Sequence, residues 1–150
     1  MKTWPVSPSI YEINTWVWLG ELTRKYSTLV ALDNVPPAEW DALAQWGFDA
    51  VWLMGVWERS PEGARIAREH TGLQADYRRA LPDYTGEDVI GSPYCIRRYE
   101  VDLWLGGREG LAVARKALAD RGMKLLLDFV PNHTASKPHS ASASHSAGGT

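Results

Sequence analysis

Cysteine is nearly missing from this chain: Cys95 is the single one in 150 residues. That excludes an internal disulfide framework. A strong charge of one sign is missing too. The formal net charge is -2, so nothing points to a nucleic-acid or acidic-membrane partner. No apolar run is long enough to span a bilayer. No apolar stretch of the kind a secretory signal needs stands behind residues 1–5, so the expected location is cytoplasmic. No G-x-G-x-x-G follows the first strand-like segment, which weighs against a dinucleotide-binding fold. No internal repeat is present. Phenylalanine is scarce, with two residues against eight tryptophans. Indole rings suit cores, and they also suit the apolar faces of sugar rings; packing is the expected role for most of the eight. Hydrophobic residues at 45% and charged residues at 23% fit a globular domain of ordinary size.

The hydrophobic pattern then sets out an alternation. Residues 9–16 alternate and are rich in β-formers, which predicts a first strand. Residues 15–24, with Trp16 and Trp18, read as a loop continuing from it. Pro36 and Pro37 open a helix, because proline at the first helical position loses no needed hydrogen bond. Trp40, Leu43, Ala44 and Trp46 fall on one face of that helix, and Gly47 supplies its stop. Residues 49–54 are a short apolar run, the second strand. Residues 55–107 form a long connection with a short helix near 61–69. Connections of that length in a compact domain are usually functional or misassigned. A helix over 108–121 places Leu111, Ala114, Ala117 and Leu118 together, Gly122 ends it, and residues 124–129 form the third strand. This βαβ–αβ order predicts parallel strands joined by right-handed crossovers. Three strands do not separate a barrel from an open doubly wound sheet.

The most informative stretch is the third strand with the residues just beyond it, 123–133 (MKLLLDFVPNH). A buried parallel strand ends in Asp128, and Asn132 and His133 come shortly after. Such strand ends build the active-site rim of α/β barrels. Together with residues 91–107 (GSPYCIRRYEVDLWLGG) and the helix between, this segment resembles the alpha-amylase family of glycoside hydrolases, family thirteen. The resemblance covers residues 9 to about 135. It implies that residues 1–135 are the N-terminal part of an amylase-like catalytic domain, the first three βα units of a (β/α)8 TIM barrel. A whole barrel takes about 250 residues and eight strands. It implies hydrolysis or transfer at α-glucosidic bonds with retention, on an α-glucan or small α-glucoside.

The resemblance also assigns roles. His133 hydrogen-bonds a hydroxyl of the sugar at the cleavage subsite. Asp128 lies beneath the site and orients an arginine from a later strand. Tyr94 stacks on the sugar ring. Asn132 supports the loop into the family's second domain, and in many members it ligates calcium; no cofactor is otherwise required. The nucleophilic Asp and the acid Glu follow strands four and five in the family, so no residue of this chain is assigned to either role. The chain alone is expected to be inactive. One departure stands inside the matched region: many members have an aspartate before the second tyrosine, where this chain has Arg98 before Tyr99.

The remaining residues read more plainly. Trp16, Trp18 and Trp57 near strand ends line a sugar cleft or pack, and packing is expected for at least two. Cys95 reads as a small buried hydrophobe. The arginines from Arg59 to Arg79 stand among acids, which predicts a solvated face rather than an anion site. Asn132 also begins a glycosylation sequon, read as chance. Residues 136–150 (SKPHSASASHSAGGT) hold no large apolar residue. They are expected to be a disordered Ser/Ala-rich tail, the product of a truncation or frameshift, with His139 and His145 solvated. A second reading is a non-catalytic amylase-like module that binds sugar or a partner subunit; a third is an unrelated α/β domain.

Overall fold

The structure is a computed structural model and describes residues 4–131. A parallel sheet of three strands lies at its centre, in the order β1 (Ile10–Asn14), β2 (Ala50–Met54), β5 (Lys124–Leu126). Ile10 pairs with Ala50, and Ala50 with Lys124. The expected parallel order is therefore present, with a third strand shorter than residues 124–129.

Residues 15–24 are not a loop. Helix α1 (Thr15–Tyr26) starts directly at the end of β1. Asn14 caps it, its side chain accepting from the Val17 N–H at 3.4 Å. Thr15, Leu19 and Leu22 are buried, a spacing that forms one helical stripe. The indole and β-branched residues of this segment favour strand locally, and burial of that stripe overrides them. Helix α2 (Pro37–Gln45) begins at the expected proline and ends before Gly47, whose φ of 81° only glycine adopts at little cost. Trp40 and Leu43 enter the core, but Trp46 does not. It stands 58% exposed past the last turn, against the rings of Tyr11 and Phe48.

The long connection is an excursion with its own structure. Strands β3 (Trp57–Arg59) and β4 (Ile96–Val101) pair antiparallel. Between them lie α3 (Pro61–Glu69), as expected, and α4 (Thr71–Ala80), which was not. Ser60 caps α3, its hydroxyl accepting from the Gly63 N–H. Helix α5 (Gly107–Asp120) then leads to β5.

Helices α2 and α5 touch each other and share one core with the sheet. Trp40, Leu43, Ala114 and Leu118 meet Ile13, Val51 and Leu53 there. Neighbouring residues of a strand face opposite ways. The other sheet face is thus that of Ile10, Glu12, Asn14, Ala50, Trp52, Met54, Lys124 and Leu126; Ala50 at its middle is buried, but Ile10 is 44% exposed, and Glu12, Asn14 and Lys124 are exposed. No described helix is long and apolar enough to cross a membrane.

This packing can be probed at two positions. Leu118 is fully buried between α5 and the sheet, so Leu118→Ala is expected to lower stability by about 2–5 kcal/mol in urea unfolding. Glu39 of α2 accepts from Lys25 Nζ and Tyr26 Oη of α1, both at 2.6 Å. These bonds hold its carboxyl below its ordinary value of 4.5. The stabilisation is present above that value and is lost as the pH falls through the lower folded-state value. In Glu39→Gln, the acid limb of a stability–pH curve should flatten.

Candidate functional site at the sheet edge

All three parallel strands end on the same side, and Asp128 lies there two residues beyond β5. The chain delivers it by parity: Leu126 pairs with Trp52, so residues 52, 126 and 128 share a face. Asp128 is only 5% exposed. Its Oδ1 accepts from Trp52 Nε1 at 2.9 Å, and its Oδ2 accepts from the Gly55 N–H at 2.6 Å. Its backbone carbonyl accepts from Trp57 Nε1 at 2.8 Å. A buried carboxylate needs such donors in place of water. Each oxygen can accept a further bond, so the group is anchored without being used up.

Gly55 joins three parts of this edge. Its N–H holds Asp128, and its carbonyl accepts from Trp16 Nε1 at 3.2 Å. Its φ is 80°, and a Cβ there would lie 3.0 Å from Pro93 Cβ. The missing side chain therefore lets the turn at residues 91–95 come down on the end of β2. Tyr94 stands in that turn, 42% exposed, its backbone N–H donating to Ser92 Oγ.

A second set of contacts holds the segment after Asp128. The Tyr99 hydroxyl accepts from the Val130 N–H at 2.8 Å and donates to the Val130 carbonyl at 3.1 Å. Its ring lies against Trp57 and Phe129. These backbone groups thus find side-chain partners in place of a neighbouring strand. Asn132 and His133 come next in the sequence and lie outside the described residues, as do the tail and its histidines.

Arg98 faces Glu58 directly across the β3–β4 pair. Its Nε and Nη2 contact Glu58 Oε2 at 2.9 and 2.8 Å, and Arg97 reaches Oε1 at 2.8 Å. The departure at position 98 is thus absorbed by cross-strand pairing. Arg65 and Arg79 pair with acids on their own exposed helices, as the mixed charges predict. Arg59 does not fit that prediction. It is half-buried, with its guanidinium 5.4 Å from the Trp16 ring and its Nη1 donating to the Gly91 carbonyl at 2.7 Å. Burial pushes its pKa down, an effect opposed by the nearby charges of Asp102 and Asp128.

Trp16, Trp18 and Trp57 all pack on the core. Cys95 is half-buried rather than buried. It lines an apolar recess of about 510 Å³ between α3 and α4. Among the described residues no group of three His, Cys, Asp or Glu could hold a metal. Sequence reasoning missed Trp52, Gly55, Arg59 and Tyr99. Gly55 carried a signal, since it stands directly after an apolar strand where a sharp turn is needed.

Asp128→Asn is expected to cost about 1–3 kcal/mol. The new amide would turn an N–H toward Trp52 Nε1 or the Gly55 N–H, and both are donors. Urea unfolding followed by tryptophan fluorescence measures this, and an unchanged midpoint would show that the two bonds carry no stability.

No family model matches the chain, and no curated protein matches it. Among solved structures it is similar to a mutant of maltooligosyltrehalose synthase from Arthrobacter ramosus, with a TM-score of 0.50 and 22% identity. The match covers 84% of this chain and 12% of that one. At that identity the likeness is one of fold: a mixed α/β arrangement of parallel strands and helices.

Proposed function

We propose that the chain is the N-terminal part of an amylase-like (β/α)8 catalytic domain, acting at α-glucosidic bonds with retention of configuration. One observation carries this reading. The strands β1, β2 and β5 stand in sequential order, with both crossover helices in one core on one side. The first half of a doubly wound sheet shares that order, but its second face is apolar beneath further helices, whereas here that face carries the exposed Glu12, Asn14 and Lys124. A barrel runs in one direction, keeps its helices outside, and turns the second face inward. In this reading the face with Glu12 and Trp52 is the inner one, and Asp128 lies at the C-terminal rim, where barrel active sites are built. The sequence segments around Tyr94 and Asp128 support the same assignment. So does the fold likeness to an enzyme named for making maltooligosyltrehalose.

Tyr94 would then stack on the sugar ring, and His133 would hydrogen-bond one of its hydroxyls. Asp128 would accept from an arginine of a later strand through the lone pairs that Trp52 and Gly55 leave open. Asn132 is the candidate calcium ligand. Retaining hydrolysis needs two carboxyl groups about 5–5.5 Å apart, one as nucleophile and one as acid. These belong after strands four and five, so no residue here takes either role, and the 150-residue chain is inactive alone.

Calorimetric titration of the chain with maltoheptaose should give weak, saturable binding. Tyr94→Ala and His133→Ala should each weaken it by about tenfold. No reducing sugar should be released. Binding indifferent to both substitutions would overturn the site, and turnover lost in His133→Ala would overturn the claim of inactivity.

A further inference from the structure

The Arg59 guanidinium is turned inward, and each of its nitrogens has a fixed place. Nη1 donates to the Gly91 carbonyl at 2.7 Å. Nη2 lies against Gly55, 3.1 Å from where a Cβ would stand there. Nε is buried without an acceptor, and the group lies 5.4 Å from the centre of the Trp16 ring. Asp102 and Asp128 oppose its charge, without an ion pair among the described residues. A cation enclosed in this way is costly to bury. An apolar chain of similar length would fill the space beside Trp16 without that cost. What it could not do is donate to the Gly91 carbonyl.

That bond falls at one end of the turn that bears Tyr94. The other end is held by the next residue of the chain: the Ser60 N–H donates to the Cys95 carbonyl at 2.8 Å. Arg59 and Ser60 thus grip residues 91 and 95 from the end of β3. Inside the turn, the Tyr94 N–H donates to Ser92 Oγ and the Cys95 N–H to the Ser92 carbonyl. The grip on Cys95 is made by backbone, and any residue but proline could supply it. The grip on Gly91 depends on one side chain. Gly91 has a φ of 86°, and glycine is the residue whose backbone direction is least fixed by local sterics. An external donor is what holds its carbonyl in one orientation.

We propose that Arg59 is a positioning residue for the sugar platform: it fixes the 91–95 turn over the end of β2, so that the Tyr94 ring is set before a sugar arrives. This rests on the glucan reading given above, and it adds to that reading a residue that touches no substrate. A turn ordered in advance raises affinity, because binding then does not bear the cost of ordering it.

The test is calorimetric titration of the full chain with maltoheptaose in Arg59→Met, Tyr94→Ala and the double variant. Arg59→Met should raise the Kd by about three- to tenfold. In the Tyr94→Ala background it should change nothing further, because Arg59 acts through that ring. Amide hydrogen exchange at Tyr94 and Cys95 should quicken in Arg59→Met, while Val51 and Leu53 in β2 keep their protection. A general loss of stability would move both. Arg59→Gln, too short to reach Gly91, should behave alike and stands in if the methionine variant does not fold. Binding by the unaltered chain with the same Kd in the Arg59 variants would overturn this proposal alone. So would an equal loss with and without the Tyr94 ring, or exchange that quickens in β2 as much as in the turn. No binding by the unaltered chain would sink the glucan reading, and this proposal with it.

Discussion

The Asp128 carboxylate is the fixed point of the sheet edge. Removing a charge from water is costly unless hydrogen-bond donors replace the lost solvent. Here the donors are an indole from the middle of β2 and a backbone N–H at its end. Because both come from β2, the buried acid holds the end of β5 to its neighbour beyond the last strand pair. Trp57 adds a third bond, to the Asp128 carbonyl. The excursion between β3 and β4 is therefore tied to the sheet through the same residue.

Gly55 explains how the excursion reaches that point. Any side chain at position 55 would put its Cβ 3.0 Å from Pro93 Cβ, and it would not take a φ of 80° cheaply. Glycine meets both demands. The turn bearing Tyr94 settles over the end of β2, and Arg59 is drawn under the turn by its bond to Gly91. Gly91 makes a similar close approach to the Ala64 backbone of α3, again at positive φ. Two glycines thus set how closely the excursion packs against the sheet and against its own first helix.

The two faces of the sheet carry different chemistry. One is a continuous apolar surface under α2 and α5. The other mixes Glu12, Asn14 and Lys124 with Trp52, Met54 and Leu126. Polar groups on a sheet face need water or partners, and aromatic groups favour burial. A face combining both suits the inside of a closed barrel whose rim performs chemistry, in keeping with the function proposed above.

Much of this was legible in the residues themselves. The proline pair and Gly47 mark α2, Gly122 marks the end of α5, and a short apolar run ending in an acid marks the strand that delivers Asp128. These signals are local: a fixed φ, a missing Cβ, a period of two or of 3.6. Other features were not legible. Residues 15–26 carry strand-forming side chains, and they are helical because Leu19 and Leu22 reach the core only in that form. The pairing of Glu58 with Arg98 joins residues 40 apart, and nothing near either one announces it. Arg59 looked like one solvated arginine among several, yet folding places it under Gly91 and over Trp16. Sequence alone determined which segments are strands and helices where backbone preference and burial agree, and which acid ends the third strand. Only tertiary structure decided which donors satisfy that acid and which arginine leaves the solvent. Those outcomes depend on distances between residues far apart in the chain, and they exist only once the sheet and its excursion have packed together.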